Sequence, residues 1–347
     1  MDPISLNAIK GAAGGGSAPY TGDIAVSHQD SPYISVYPWD AGFGTKYANP
    51  STLPPSHALN AVFSPDRADL AVAHNWSPSV SVYPWSSGFG TKYANPSTTP
   101  PGGGTNASFS PNGADLAVVC QGSPYVSVYP WSSGFGTKYA DPATLPAGLG
   151  REVAFSPDGA DLAVACNNSP YISVYPWSSG FGTKYSDPAT LPTGVGRSVV
   201  FSPNGADLAV GHSSSPGISV YPWTSGTGFG TKYADPSTLP AGTTRRISFT
   251  SNGADIAVSH DSSPYISVYP WTSGTGFGTK YADPSTLPNN AGYGCSFSPN
   301  GAELAVSTHL TPYVCVYPWS AGFGTRYSDP STTPASYGYG VCFSPAA

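Results

Sequence analysis

The chain has 347 residues, and its 41 glycines and 38 prolines, with only 9% charged residues, indicate many turns and very little amphipathic helix. Its net charge of −6 and its lack of lysine or arginine clusters argue against nucleic-acid binding. No apolar stretch approaches the length of a membrane span, and the N-terminus lacks the basic start and apolar run of a secretory signal, so we expect neither membrane insertion nor a signal peptide.

The first segment in chain order lies outside the pattern that fills the rest of the chain. It contains residues 11–16 (GAAGGG), a composition typical of flexible linkers. We therefore predict a flexible N-terminal arm over residues 1–19 and one repeat domain over residues 20–347. The arm either has no role or acts as a tether that orders against a partner.

The repeat is marked by the tripeptide Tyr-Pro-Trp, which occurs seven times at intervals of 46 or 48 residues. A period in the forties that carries several short strand patterns is typical of a β-propeller with four-stranded blades, so seven copies predict seven blades. The tripeptides end at Trp39, Trp85, Trp131, Trp177, Trp223, Trp271 and Trp319.

The fourth repeat shows the strand pattern most clearly. Residues 153–155 end an inner strand, and 156–159 (SPDG) form a tight hairpin in which proline presets φ and glycine closes the turn. Residues 161–166 and 171–175 read as the second and third strands. A short outer strand is predicted over 183–188, where a charge and a proline would protect the free edge.

The two ends of the chain predict how the ring closes. Residues 20–28 match a second strand with no first strand before it, and residues 339–343 match an inner strand whose hairpin is never completed. Pairing these two segments closes the circle without a covalent bond. The predicted fold is therefore all-β: a seven-bladed propeller of four-stranded antiparallel blades, closed by the C-terminal strand pairing with the N-terminal blade.

No catalytic, metal-binding or cofactor-binding group of residues emerges from the repeat. One residue of each repeat ends the second strand, and these seven residues form a ring around the propeller. Equivalent positions on neighbouring blades are about 10 Å apart, which is too far for two of them to bind one metal ion, so we interpret these residues as structural. That ring is His28, His74, Cys120, Cys166, His212, His260 and Thr308. An acidic ring after the first hairpin is predicted to cap it, because an active site needs different residues converging on one point. Its members are Asp23, Asp69, Asp115, Asp161, Asp207, Asp255 and Glu303.

The connections between strands divide the predicted propeller into a uniform and a diverse face. Because strands alternate in direction, the turns from second to third strand share one face with the connections between blades, and both kinds of connection vary from repeat to repeat. A diverse face is where an asymmetric partner would bind, although neutral drift in loops gives the same pattern. The predicted partner-binding residues are Trp76, Arg151, Arg197, Arg245 and Arg246.

Two sequence runs resemble known families. Residues 155–164 (FSPDGADLAV), followed by 171–175 (YISVY), resemble WD40-like and YVTN-type propeller repeats. Residues 129–146 (YPWSSGFGTKYADPATLP) resemble the nearly identical repeats of tailed-bacteriophage virion structural proteins. Unlike WD40 repeats, the chain has Tyr-Pro-Trp in place of Trp-Asp and lacks the Gly-His pair.

The phage resemblance implies a non-enzymatic structural and interaction propeller. The expected place is the virion, in a tail, a fibre or the capsid surface, after assembly in the host cytoplasm. The expected partners are other virion proteins or a host-surface receptor. The alternative is a lectin-like propeller that binds glycans between its blades.

Overall fold

The computed structural model describes residues 19–346, and within this range every regular element is a β-strand. Residues 1–18, which make up nearly all of the predicted arm, lie outside the described residues. No helix of sufficient length and apolar character to cross a bilayer is found in residues 19–346.

Each blade contains an inner, a middle and a third strand. The inner strands are β3 (Ala58–Phe63), β6 (Gly104–Phe109), β9 (Gly150–Phe155), β12 (Gly196–Phe201), β16 (Thr244–Phe249), β20 (Gly292–Phe297) and β23 (Gly338–Phe343). The middle strands are β1 (Thr21–His28), β4 (Asp69–His74), β7 (Asp115–Cys120), β10 (Asp161–Cys166), β13 (Asp207–His212), β17 (Asp255–His260) and β21 (Glu303–Thr308). The third strands are β2 (Ile34–Asp40), β5 (Val80–Pro84), β8 (Val126–Pro130), β11 (Ile172–Pro176), β14 (Ile218–Thr224), β18 (Ile266–Thr272) and β22 (Val314–Pro318).

The fourth strand is shorter than the sequence predicts and lies earlier in the repeat. In two blades it has two residues, as β15 (Gly228–Phe229) and β19 (Gly276–Phe277), and in the other five blades it is a single bridge such as Trp177 to Phe181. The predicted outer strand over 183–188 forms no ladder, and only the Tyr185 N–H donates to the Val174 carbonyl (2.9 Å). Pro188, at the end of this segment, has no N–H to donate to a ladder.

All ladders are antiparallel, and the sheets confirm the predicted ring. In ring order the blades are 1 (β23, β1, β2), 2 (β3 to β5), 3 (β6 to β8), 4 (β9 to β11), 5 (β12 to β15), 6 (β16 to β19) and 7 (β20 to β22). The C-terminal strand β23 pairs with β1, so that Ile24 lies opposite Phe343, and it also packs against β20 and β3. Seven apolar clusters, each shared by two neighbouring blades, account for the whole circle.

Each acidic residue at the start of a middle strand links two blades, which corrects the prediction that it only caps the hairpin. The Asp161 carboxylate accepts a hydrogen bond from Tyr185 Oη of its own blade (2.7 Å) and one from Trp223 Nε1 of the next blade (2.9 Å). The hairpin itself is capped by Ser156, whose Oγ accepts from the Asp161 N–H (2.9 Å). The same pair of bonds occurs at Asp23, Asp69, Asp115, Asp207 and Asp255.

The histidines that end four of the middle strands are structural, as predicted, but they act within a blade. His212 Nδ1 lies 2.8 Å from the Ser214 carbonyl and its Nε2 lies 3.1 Å from Ser219 Oγ. A carbonyl can only accept a hydrogen bond, so Nδ1 carries a proton. Burial lowers the pKa of His28, His74, His212 and His260 to about 4.

These histidines predict a loss of stability at mildly acidic pH. Their pKa is lower in the folded state than in the unfolded state, so their contribution is complete above about pH 6.5 and is lost as the pH falls towards 4. Within this window each histidine adds up to about 1.4 kcal/mol per pH unit to the slope of unfolding free energy against pH. Urea unfolding at pH 7.0, 5.5 and 4.5 measures that slope.

The control for this prediction is a variant in which all four histidines are replaced by threonine. Thr308 occupies the same position in blade 7, where its Oγ1 donates to the Leu310 carbonyl (2.9 Å). The threonine variant should keep the fold and show a much shallower slope between pH 6.5 and 4. An unchanged slope would contradict the assignment of the pH dependence to these residues.

Candidate functional site

A cavity of about 180 Å³ lies where the inner strands begin, on the face that carries the variable connections. All seven blades contribute to it, so it lies on the axis of the ring. Pockets for drug-sized ligands usually measure roughly 300–1,000 Å³, so this cavity suits a small ligand. The lining residues are Leu59, Thr105, Arg151, Arg197, Arg245, Arg246, Tyr293 and Tyr339.

Seven of the eight lining residues occupy one register position, the second residue of each inner strand. The structure thus brings together four of the five predicted partner-binding residues, Arg151, Arg197, Arg245 and Arg246. Trp76 is elsewhere: it follows β4, the residue is 65% exposed, and its backbone N–H donates to Ser56 Oγ (3.1 Å).

Four residues that line the cavity were not predicted from the sequence: Tyr293, Tyr339, Leu59 and Thr105. Aligning the seven inner strands places these residues in the same column as the arginines. That column was detectable in the sequence, but its variation was interpreted as loop diversity rather than as one strand position.

Two of the arginines are anchored by a residue 16 positions later, in the turn after the middle strand of their own blade. Arg151 Nη2 donates to Asn167 Oδ1 (3.1 Å), and Arg245 Nη2 donates to Asp261 Oδ2 (3.2 Å). The Arg245 guanidinium also lies 4.8 Å from the centre of the Tyr293 ring, a cation–π distance. These contacts hold the guanidinium groups at the rim of the cavity.

The arginine cluster is electrostatically unfavourable by itself. The pKa of Arg151 is lowered by burial and by the neighbouring charges of Arg245 and Arg246. The pKa of Arg197 is lowered by burial and by the charges of Arg245 and Arg151. Within residues 19–346, no hydrogen-bond acceptor is found for the buried Nε atoms of Arg151, Arg197 and Arg245. Buried donors without acceptors and mutually repelling charges at one point mark a functional site more often than a structural one.

The next residue of each inner strand forms a second layer below the arginines. In four blades its side chain accepts a hydrogen bond from the following blade, as when Glu152 Oε2 accepts from the Val199 N–H (3.0 Å). Glu152 Oε1 also forms an ion pair with Arg246 Nη1 (3.0 Å), which joins blades 4 and 6. Glu152 is therefore held by structural contacts, and no acidic residue is among those that line the cavity.

No known protein-family model matches this chain. No curated protein sequence matches it.

Several solved structures share the overall fold. A candidate 6-phosphogluconolactonase from Bacteroides uniformis is 16% identical with a TM-score of 0.67, and the match covers 92% of this chain and 98% of that chain. The periplasmic gluconolactonase of Pseudomonas aeruginosa is 18% identical with a TM-score of 0.66, covering 94% and 98%. The β-propeller domain of Swd1 (Cps50) from Myceliophteria thermophila is 14% identical with a TM-score of 0.59, covering 80% and 88%. At such low identity the likeness shows the β-propeller fold alone.

The prediction of a structural bacteriophage virion component is wrong. It depended on the resemblance of the repeats to phage repeats, whereas two of the propellers named above carry lactonase names, the third is the β-propeller domain of Swd1, and none carries the name of a phage protein. Lactonase names among the neighbours also mean that the architecture is compatible with enzymes. The alternative prediction, a lectin-like propeller that binds glycans between its blades, is not supported either, since none of the neighbours named above carries the name of a lectin. The predicted partners and location stay predictions.

Replacing Arg197 by methionine should stabilise the ligand-free protein. The apolar side chain keeps much of the volume of the arginine stem but removes a buried charge that Arg245 and Arg151 repel, so we expect a gain of about 1 kcal/mol. Urea unfolding of R197M and of the unaltered chain measures the difference. R197K, which keeps the charge, is the matched control, and an R197M protein less stable than the unaltered chain would contradict the repulsion argument.

Proposed function

We propose that this propeller binds a small ligand carrying a phosphate or carboxylate group in the axial cavity. The observation that carries the proposal is the convergence of Arg151, Arg197 and Arg245 on one arc of the cavity, each with a buried Nε that lacks an acceptor within residues 19–346. Guanidinium groups match phosphate and carboxylate oxygens in geometry and charge.

The charge balance at the cavity supports this assignment. Four arginines line it, and the carboxylates paired with them are Asp261 on Arg245 and Glu152 on Arg246. A surplus of two positive charges therefore lies at one point of a chain whose net charge is −6. Charges buried away from water are normally paired with opposite charges, so the surplus favours an anionic ligand.

Binding of inorganic phosphate tests the proposal. Charge-assisted hydrogen bonds contribute roughly 1.5–3 kcal/mol each, so two or three of them supply roughly 3–9 kcal/mol, and the middle of this range corresponds to a Kd on the order of 10 μM to 1 mM. Isothermal titration at constant ionic strength should detect this binding. The double variant R151M/R197M should lose at least about tenfold in affinity, because two of the three donor groups are gone.

General salt effects are separated from binding by a matched variant on the surface. Phosphate stabilises most folded proteins by exclusion, so a rise in melting temperature alone proves nothing. Lys184 pairs with Asp187 outside the cavity, and K184M should bind phosphate as the unaltered chain does. Equal phosphate affinity in R151M/R197M and the unaltered chain would overturn the proposal.

A second candidate function is hydrolysis of an anionic sugar lactone at the same cavity. It is favoured by the gluconolactonase names among the structural neighbours, together with cationic donors that can stabilise the oxyanion formed when water attacks the lactone carbonyl. No lining residue is acidic, so the acceleration would come from oxyanion stabilisation and orientation of the substrate.

Lactone hydrolysis is measured with glucono-1,5-lactone and its 6-phosphate, against the spontaneous rate. We expect acceleration for the phosphorylated lactone, and a decrease of about 100-fold in kcat/KM in R151M/R197M, the usual size of effect when oxyanion donors are removed. Absence of acceleration with both lactones would exclude this second function and leave the binding proposal unaffected.

A further inference from the structure

The arc of the cavity that follows the arginines is aromatic. Tyr293 of blade 7 and Tyr339 of blade 1 line it, with ring centres 5.7 Å apart and planes at 86°. The His309 ring packs at the edge of this pair, with its centre 5.6 Å from the centre of the Tyr293 ring. The His309 ring also contacts Tyr337, with ring centres 3.9 Å apart. The cavity therefore has a cationic arc, formed by blades 4 to 6, and an aromatic arc, formed by blades 7 and 1.

The two tyrosine rings are held in place and remain partly exposed. Tyr339 Oη donates to Gln29 Oε1 (2.8 Å), and Tyr293 is covered on one side by the Arg245 guanidinium. Both residues are of intermediate burial. Two rigid, half-buried rings at the mouth of a small cavity offer an apolar surface that a ligand can contact without ordering new side chains.

The fold does not require aromatic residues at these two positions. The equivalent residues of blades 2 and 3 are Leu59 and Thr105, which line the same cavity at the same register. Packing between blades is carried by other positions, such as Val341 and Phe343 on the same strand as Tyr339. The tyrosines are therefore available for a ligand.

We infer that the ligand is an anion joined to a ring, with its anionic group on the cationic arc and a face of its ring against Tyr293 and Tyr339. The inference depends on the proposed function, because the arginines must hold the anion for the ring to reach the aromatic arc. A free inorganic anion would use only the first arc. The shared chemistry is a six-membered ring with an apolar face, which either a sugar phosphate or an aromatic phosphate supplies.

A series of phosphates that differ only in the organic group tests the inference. The probes are inorganic phosphate, glycerol 3-phosphate, glucose 6-phosphate and phenyl phosphate, titrated into the unaltered chain at one pH and ionic strength. We expect at least one ring-bearing phosphate to bind roughly three- to tenfold more tightly than glycerol 3-phosphate, which has the same charge but no ring. Glucose 6-phosphate and phenyl phosphate distinguish a sugar ring from an aromatic ring.

The role of the tyrosines is tested with residues that the chain itself uses at this position. In Y293T/Y339L the affinity ratio between the preferred ring phosphate and glycerol 3-phosphate should fall to about one. In Y293F/Y339F, which keeps the rings, and in W76A, which removes an exposed aromatic side chain outside the cavity, the ratio should persist. The ratio is measured within each variant, and circular dichroism and thermal unfolding establish that each variant is folded.

The outcomes separate this inference from the function on which it depends. Equal affinity for ring-bearing phosphates and glycerol 3-phosphate, or a ring preference that survives in Y293T/Y339L, would overturn the inference while arginine-dependent phosphate binding stands. Absence of binding by all four probes would overturn both. A ring preference that disappears in Y293T/Y339L and persists in Y293F/Y339F would support the two-arc arrangement.

Discussion

The structure depends on contacts between neighbouring blades, because no blade has an apolar core of its own. Every apolar cluster draws its residues from two blades; in one of them, Ile172 and Val174 of blade 4 pack with Leu208 and Trp223 of blade 5. The middle strands are buried along almost their whole length because a blade covers each face. Burial of this kind is complete only when the ring is closed, so the last strand is as necessary as any internal one.

The same requirement explains why the repeats are so alike at some positions and so different at others. The tryptophan, the aspartate and the outer tyrosine meet at six of the seven interfaces, as Trp223, Asp161 and Tyr185 do, so at these interfaces they can hardly vary. The second residue of each inner strand lies at the axis and belongs to none of the seven apolar clusters that join the blades. This position can therefore vary, and it is leucine, threonine, arginine or tyrosine in different blades. The variation makes the axial cavity asymmetric although the rest of the ring is nearly symmetric.

The fold was predictable from the sequence because the interface residues recur with the period of the blade. The outer strand was placed too late, since the pattern around Lys184 looks extended, whereas the bridge to the third strand lies earlier, between Trp177 and Phe181. Four arginines of the cavity were found by their divergence among the repeats, but Tyr293 and Tyr339 were missed because only the alignment of strands reveals their register. The virion assignment failed because duplicated repeats carry information about the fold and not about the ligand.

The closing interface differs from the other six, and the aromatic arc lies on it. Glu303 replaces the aspartate there: its Oε1 accepts from the Tyr20 N–H (3.0 Å), and within the described chain no partner is found for its Oε2 or for Trp39 Nε1. Burial raises the pKa of this carboxyl group. The two ends are instead tied by Tyr20 Oη, which donates to the Ser344 carbonyl (2.6 Å).

Tyr293 and Tyr339 belong to β20 and β23, the two inner strands that meet at this interface. A ligand held by both arcs would therefore bridge the arginine blades to the closing strand. Such a ligand would stabilise the ring at the closing interface, which lacks the hydrogen bond between tryptophan and aspartate. Binding of the ligand and closure of the ring would then be linked, because both involve the closing strand β23.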